Sequence, residues 1–330
     1  MSRLHEIVNL LKEFEGISRK YVLPGIIHRL RTESYDGEYP HSLGEDSAAI
    51  STACDDYVLL TTDAIVEDLC LNHPKAAGFN AVLANVMDIY AAGGVPTSFA
   101  IALSYSDKSI GEKLLEGLIE ASHRFKIPIV RGHTNPTSRS TYVVGSATGT
   151  VSTKNLLTAG GATPGDKIVL IYDRQGKRGE HYRLGWDSVT DRTSDETVKR
   201  LTVMTSIAAE QLVTASKDVS TAGIIGTAGM MVEYSGVGCT IDLSPVESSC
   251  PQGIALEDWL RMYISLGFLV AVRPENLSEL LEVITQHEMD AAVIGEVEDT
   301  RLLRLVLESE SATLFDFSKG SLLTPKGNQV

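Results

Sequence analysis

The sequence predicts a mixed α/β (α+β) fold in two domains, residues 1–152 and 153–330. Short apolar runs of strand length alternate with longer amphipathic segments of helical period along the chain. A turn-forming cluster, TAGGATPGD at 158–166, falls near the middle, and the alternation restarts after it. The third observation is chemical. An apolar run at 57–60 ends on Thr61, Thr62 and Asp63; the segment AAGFNAVLANVMDIYAAGGVP then has helix length and closes on Gly93-Gly94 and Pro96. Asn85 and Asp88 interrupt that helix on one face, three residues apart. A carboxylate in so apolar a helix is costly unless a cation or several donors meet it. Asp63 ends a strand, where ligands of α/β sheets bind. Asp63, Asn85 and Asp88 are therefore expected to converge on a cation, magnesium with a nucleotide phosphate. The plain alternative is a turn residue and a solvated helix face.

In chain order, Leu4, Ile7, Val8, Leu11 and Phe14 mark one face of a first helix, which Gly16 ends. The basic residues Arg19, Lys20, Arg29 and Arg31 follow, either as a solvated surface or as a mobile arm closing over phosphates. Residues 32–46 read as a polar loop, with Glu45-Asp46 directly before a short strand at 47–50. Phe99, Ile101 and Leu103 alternate in a strand at 97–105, and Leu114, Leu115, Leu118 and Ile119 define a helix at 110–125. A short buried strand at 127–130 runs into a loop, Arg131-Gly132-His133-Thr134, and a glycine-punctuated strand at 142–151 completes the domain. In the second domain 167–172 is a buried strand, while 173–194 is charged and aperiodic and reads as a long mobile loop. Helices are expected at about 195–215 and 221–235, with Lys217-Asp218-Val219-Ser220 between them. Further strands fall at 238–243, 268–272, 291–297 and 302–306, and a helix at 277–287.

Composition narrows the function. At 330 residues, 43% hydrophobic and 22% charged, the chain is an ordinary soluble type. Its formal net charge of −14 argues against a nucleic-acid or anionic-membrane partner, either of which wants a basic face. Nucleotides stay open, because carboxylates hold them through Mg²⁺. Cys54, Cys70, Cys239 and Cys250 form no CxxC pair and have no histidine at zinc-site spacing, so they read as reduced thiols. No apolar run approaches the ~20 residues of a membrane span. The start, MSRLHEIVNLLKEFEG, lacks a signal-peptide pattern, and a cytoplasmic protein is expected.

Several stretches, in order, resemble the aminoimidazole-ribonucleotide synthetase-like ATP-binding superfamily, which includes thiamine-monophosphate kinase, selenophosphate synthetase and a hydrogenase maturation dehydratase. GEDSAAI (44–50) resembles a Gly-Asp-Asp-Ala-Ala segment of that kinase, and TTDAIVED (61–68) its Thr-Asp strand end. NVMDIYAAGGVP (85–96), the most specific piece, resembles its Asn-x-x-Asp-x-x-Ala-x-Gly helix. RGHT (131–134) stands where the family has Gly-Gly-Asp-Thr, GGATPGD (160–166) opens the second domain, and KDVSTAGIIGTAGMMVEYSGVG (217–238) is similar to the Asp-rich motif there. The similarity covers roughly residues 40–300, and with the GISRK start the pattern is closest to uncharacterised synthase-related members of the methanogenesis-marker type.

The resemblance implies a homodimer whose first domains pair into a shared β-barrel, with ATP near that interface and Mg²⁺ on its phosphates. By position the metal ligands would be Glu45 or Asp46, Asp63, Asp88 and Asp218. Glu45 replaces an Asp, His133 replaces the Asp of Gly-Gly-Asp-Thr, and Ser220-Thr221-Ala222 replaces Ser-Asp-Gly. These departures set the chain apart from thiamine-monophosphate kinase. His133 is either a hydrogen-bonded loop residue or an acid/base or phosphate contact, and Asp218 either a ligand with a catalytic part or the cap of the helix after it. Thr62, Lys20 and Arg131 are expected at the nucleotide. The expected function is Mg²⁺-dependent, ATP-driven activation of an oxygen of a small-molecule substrate. A nucleotide-binding regulator or assembly protein without catalysis is the alternative.

Overall fold

The computed structural model describes residues 2–35, 41–324 and 326, so positions 36–40 of the expected polar loop lie outside the described residues. Three helical pieces come first: α1 (Arg3–Lys12), α2 (Glu15–Ser18) and α3 (Leu23–Glu33). The first sheet follows from β1 (Ala48–Ser51), β2 (Asp56–Ala64), α4 (Glu67–Asn72), α5 (Pro74–Ala91), β3 (Val95–Tyr105), α6 (Lys108–Phe125), β4 (Ile129–Pro136) and β5 (Tyr142–Ser152). Its order is β1-β2-β5-β3-β4, antiparallel except for the β3–β4 pair. Period-2 alternation sends Leu59, Phe99, Leu103, Val143 and Ala147 to one face, where they meet Ala77, Ala81 and Val82 of α5 and Leu114 and Leu118 of α6. The two helices lie close because a Cβ at Gly117 would stand 1.9 Å from the Lys75 carbonyl oxygen, and one at Gly78 2.1 Å from that of Leu114. The opposite face is uncovered within the chain, with Leu60 40% exposed and Thr62 and Ala64 also exposed. Within one chain this sheet is open.

The second half comprises β6 (Lys167–Tyr172), β7 (Lys177–Arg178), β8 (Gly185–Asp187), α7 (Ser194–Leu201), α8 (Val203–Ala209), β9 (Ala215–Asp218), α9 (Gly223–Ser235) and β10 (Gly238–Asp242). It continues through α10 (Leu243–Ser249), α11 (Leu256–Trp259), β11 (Tyr263–Ile264), β12 (Phe268–Val272), α12 (Leu277–Gln286), β13 (Asp290–Glu298), β14 (Leu302–Leu307) and β15 (Glu310–Asp316). Seven strands form one sheet, β15-β14-β10-β13-β6-β12-β9, and β11-β8-β7 form a small second one. Both faces of the large sheet are buried. Along β6, Ile168, Leu170 and Tyr172 enter a cluster with α1 and α9, while Val169 and Ile171 enter the cluster that also holds the first sheet's core. One apolar core thus runs from the first sheet, through Ala91, Ala92 and Leu157, to Ala208 and Leu212 beside the second. The first helix joins the other cluster: Leu4, Ile7, Val8 and Leu11 pack with Leu303, Leu305 and Phe315.

Three expectations need correction. The strand expected at 127–130 is β4, shifted to 129–136, and every residue of it is exposed, so Arg131 and His133 stand on an edge strand instead of a loop. Residues 173–194 are tied down. Asp173, 1% exposed, pairs with Arg192 at 2.5 Å and Arg200 at 2.9 Å, and the Trp186 ring N–H donates to the Asp173 carbonyl at 2.8 Å. Polar anchoring of this kind leaves no hydrophobic period to read. Finally, Lys217 and Asp218 close a strand, β9, where a helix-to-helix connection was expected.

Candidate functional site

Four carboxylates meet where the two halves join. Asp46 lies just before β1, Asp63 next to the end of β2, Asp88 in the last turn of α5, and Asp218 at the end of β9. Carboxylate oxygens of Asp46, Asp88 and Asp218 all lie within 4.8 Å of one another. The Asp63 side chain hydrogen-bonds that of Asp88. The backbone fixes this convergence. Ser47 Oγ donates to the Asp88 carbonyl at 3.0 Å, pinning the residue after Asp46 onto the end of α5. The Asp218 backbone N–H donates to Asp46 Oδ2 at 3.3 Å. Asn85, wholly buried, accepts from Thr61 Oγ1 at 2.5 Å and donates to the Ala81 carbonyl at 2.9 Å, locking α5 to β2 two residues before Asp63. Gly145 makes room for it, since a Cβ there would stand 2.8 Å from Asn85 Nδ2.

Two ammonium groups accompany the acids. Lys217 pairs with Asp46, both nearly buried, and Lys20 lies within the field of Asp218 and Asp63. Four carboxylates against two lysines leave the fully ionised pocket two charges negative. Burial, then Asp63, Asp218 and Asp46, hold Asp88 well above the usual carboxylate range. Burial and Asp46 push Asp218 up to about 8, against the pull of Lys217. Burial draws Lys217 down, but Asp46 and Asp218 outweigh it and leave it raised. Lys20 is lowered, by burial first and then by Arg19 and Lys217. A bound cation would relieve the repulsion among acids buried this close together. Clustered carboxylate oxygens suit a hard ion such as Mg²⁺.

Other expected residues lie elsewhere. Glu45, its side chain 5% exposed, turns away from the cluster: its Oε2 accepts from the Ala159 N–H at 2.7 Å, and it also meets Tyr234. Thr62 alternates to the open face of β2 and bonds Ser146 at 2.6 Å, while its neighbour Asp63 faces α5. Arg131 and His133 sit on β4, separated from β2 by β5 and β3, roughly 14 Å at ordinary strand spacing. Both face the open side of the sheet, beside Ala100 and Ala102. Asp218 does not cap the following helix, α9, whose N-cap is Ala222 with no side-chain cap bond. Lys217 was missed. The signal for the lysine was its place beside Asp218 in an otherwise small-residue stretch. A wider groove of about 590 Å³ runs along α3 past Val22, Ile26 and Leu30, but its one acid, Glu33, is already paired with Arg29.

Fold and pocket together describe an α/β protein of two large sheets and one small one, with a carboxylate cluster at the junction of its halves. The chain belongs to the AIR synthase related protein family: residues 44–151 match the family's N-terminal domain and 163–308 its C-terminal domain. The uncharacterised protein MJ0640 of Methanocaldococcus jannaschii is 31% identical over 318 residues, 96% of this chain and 98% of that one. The uncharacterised protein sll0787 of Synechocystis sp. is 34% identical over 284 residues, 85% of each. Among solved structures, Thermotoga maritima PurL complexed with ADP superposes with a TM-score of 0.71 at 17% identity, over 92% of this chain and 50% of that chain. That likeness shows the fold, and the chain spans about half the length of the PurL chain. No helix among the described residues is long and apolar enough to cross a membrane.

Proposed function

We propose that this protein is a Mg²⁺-dependent, ATP-using enzyme that phosphorylates or otherwise activates an oxygen of a small-molecule substrate. The observation that carries the reading is the meeting of Asp46, Asp63, Asp88 and Asp218 from separate elements, with Asp46, Asp88 and Asp218 made harder to ionise by burial and then by their acidic neighbours. Thermotoga maritima PurL has been solved with ADP and with ATP, which supports a nucleotide as the ligand here. Bound Mg²⁺ would neutralise phosphate charge and set the transferred group in line with its acceptor. Asp88 and Asp218 supply oxygen donors from opposite halves of the chain, and Asp63 sits against Asp88. Lys217 holds Asp46 in place, and Lys20, kept less basic than usual, offers a cation at the pocket's edge. Asn85 positions the strand that carries Asp63. Among the described residues no histidine lies in the cluster, so the acceptor's proton leaves through a carboxylate or water.

The same reading makes the protein a homodimer. The open face of the first sheet carries Leu60 and Thr62 with Ala100, Ala102, Arg131 and His133, and a second copy would cover it. His133 and Arg131 then serve the interface and whatever binds beside it. Residues 1–152 and 153–330 remain the proposed domains, with α1 crossing to the second.

A thermal-shift and turnover assay with Mg²⁺, ATP and a panel of small hydroxyl- and carboxyl-bearing substrates tests this. Magnesium-dependent nucleotide stabilisation and ATP consumption with at least one acceptor are expected. Nucleotide binding without turnover on any acceptor would favour a regulator, and nucleotide binding indifferent to Mg²⁺ would end the metal-site reading.

A further inference from the structure

Tyr263 carries a polar atom that the protein itself does not satisfy. Its hydroxyl is sealed from solvent and has no hydrogen-bond partner among the described residues. Buried polar groups are nearly always paired, so such an exception needs an explanation. The flanking Met262 and Ile264 are wholly buried in the second half's own cluster. Tyr263, pointing the other way by strand alternation, packs against the cluster containing the first sheet's core. The backbone fixes that aim: Tyr263 pairs with Gly185 of β8, and its N–H donates to the Leu184 carbonyl at 2.8 Å.

The ring therefore reaches toward the acidic pocket. The Ile264 N–H donates to the Val219 carbonyl at 3.3 Å, which ties Tyr263's strand to the residue after Asp218, and the hydroxyl lies in the field of Asp218, Asp63, Asp88 and, more weakly, Asp187. Each of these neighbourhoods is otherwise occupied. Asp63 and Asp88 bond each other, Asp46 is held by Lys217 and the Asp218 N–H, and Asp187 Oδ1 accepts from the Val189 and Thr190 N–H groups at 2.9 and 3.0 Å. The phenol thus faces three carboxylates and is bonded to none of them. It stays protonated, because burial and the surrounding acids oppose its ionisation, so it acts as a donor.

We propose that the Tyr263 hydroxyl donates a hydrogen bond to an oxygen held by the pocket's cation, either a bound water or a phosphoryl oxygen of the nucleotide. This rests on the cation reading of the pocket. It adds a neutral donor to a site otherwise made of acids and lysines, and one contributed, like Asp218, by the second half of the chain. Occupation of the site by the cation and its oxygen ligand would then draw Tyr263 and the strand behind it onto the first half.

Tyr263→Phe removes one oxygen and keeps the ring. Wild type, Tyr263→Phe and Asp88→Asn are titrated with Mn²⁺ followed by its EPR signal, alone and with a non-hydrolysable ATP analogue. A hydrogen bond to a ligand of this charge is worth about tenfold in affinity, the loss expected of Tyr263→Phe. Loss already with Mn²⁺ alone assigns the partner as water; loss only with the analogue assigns it as a phosphoryl oxygen. Asp88→Asn should lose binding in both arms. Equal affinities of wild type and Tyr263→Phe in both titrations overturn the proposal and leave the cation site standing. Failure of wild type to bind Mn²⁺ in either arm overturns the cation site, and the proposal with it. Without metal, Tyr263→Phe should melt no lower than wild type, since it deletes an unpaired group. A drop of several degrees would mean that the hydroxyl already has a protein partner, and would overturn the proposal.

Discussion

Asp218→Asn probes the pocket at the carboxylate whose proton uptake has a definite scale. Burial and Asp46 raise it to about 8 from the 3.8 of an exposed aspartate. Between those values the native state holds a proton that the unfolded chain has released. The metal-free protein therefore loses stability as pH rises from about 4 to about 8. Roughly four units at ~1.4 kcal/mol each bound that loss at about 6 kcal/mol. Unfolding entropy of ~2.1 cal/mol/K per residue makes this roughly 8 °C in Tm for a chain of this size. Asparagine cannot ionise, so in EDTA the variant's Tm should fall much less than wild type's from pH 5 to pH 8, and exceed it at pH 8 by several degrees. With Mg²⁺ and an ATP analogue the order should reverse, because only wild type gains a ligand bound to the native state. Scanning calorimetry across pH 5–8.5, with and without metal, measures both effects. If wild type and variant lose the same stability on going from pH 5 to pH 8, the repulsive pocket does not exist as drawn.

Lys217→Met should destabilise the metal-free protein by about 3 kcal/mol, since it strands a buried Asp46; urea unfolding should show a larger loss at pH 8 than at pH 5, where Asp46 can protonate. Asn85→Ala should lose about 2–3 kcal/mol, leaving Thr61 Oγ1 buried without its partner, and should shrink the Mg²⁺-nucleotide gain in Tm through the displaced Asp63. Sedimentation at micromolar concentration should give a dimer for wild type and a monomer for Leu60→Asp, which places a charge on the open face of the first sheet. A wild-type monomer would remove the interface, though not the pocket.

Much of this was legible in the chain. Asp63 and Asp88 declare themselves because each breaks an apolar pattern, and a charge without apparent compensation in a periodic segment points to chemistry. Asp46 and Asp218 needed the family resemblance, since neither interrupts a period. Glu45 and Thr62 were misplaced by one residue's worth of geometry. In extended chain, adjacent side chains face opposite ways, so Thr62 follows the open face while Asp63 turns inward. His133 and Arg131 stood at what looked like a strand's end, but the strand runs on to Pro136 at the sheet's edge, where exposure erases the hydrophobic signal. The segment 173–194 was illegible for the opposite reason. It is anchored by Asp173, Arg192, Arg200 and a tryptophan N–H, and polar networks have no period. Tyr263 is one aromatic residue among eleven tyrosines, and only the fold shows where its oxygen ends.

The first helix has a consequence for how the protein is made. Its apolar face seats on β14 and β15, which are synthesised long after it. At ~5–20 residues per second, α1 leaves the ribosome on the order of 15 to 60 s before its seat exists. Throughout that interval Leu4, Ile7, Val8 and Leu11 have nowhere native to go. This helix is thus a latch that closes only once β14 and β15 have been made, and the segment after it brings Lys20 to the pocket. A nascent chain stalled anywhere before residue 302 would leave this helix's apolar face uncovered, the kind of segment that chaperones and proteases recognise.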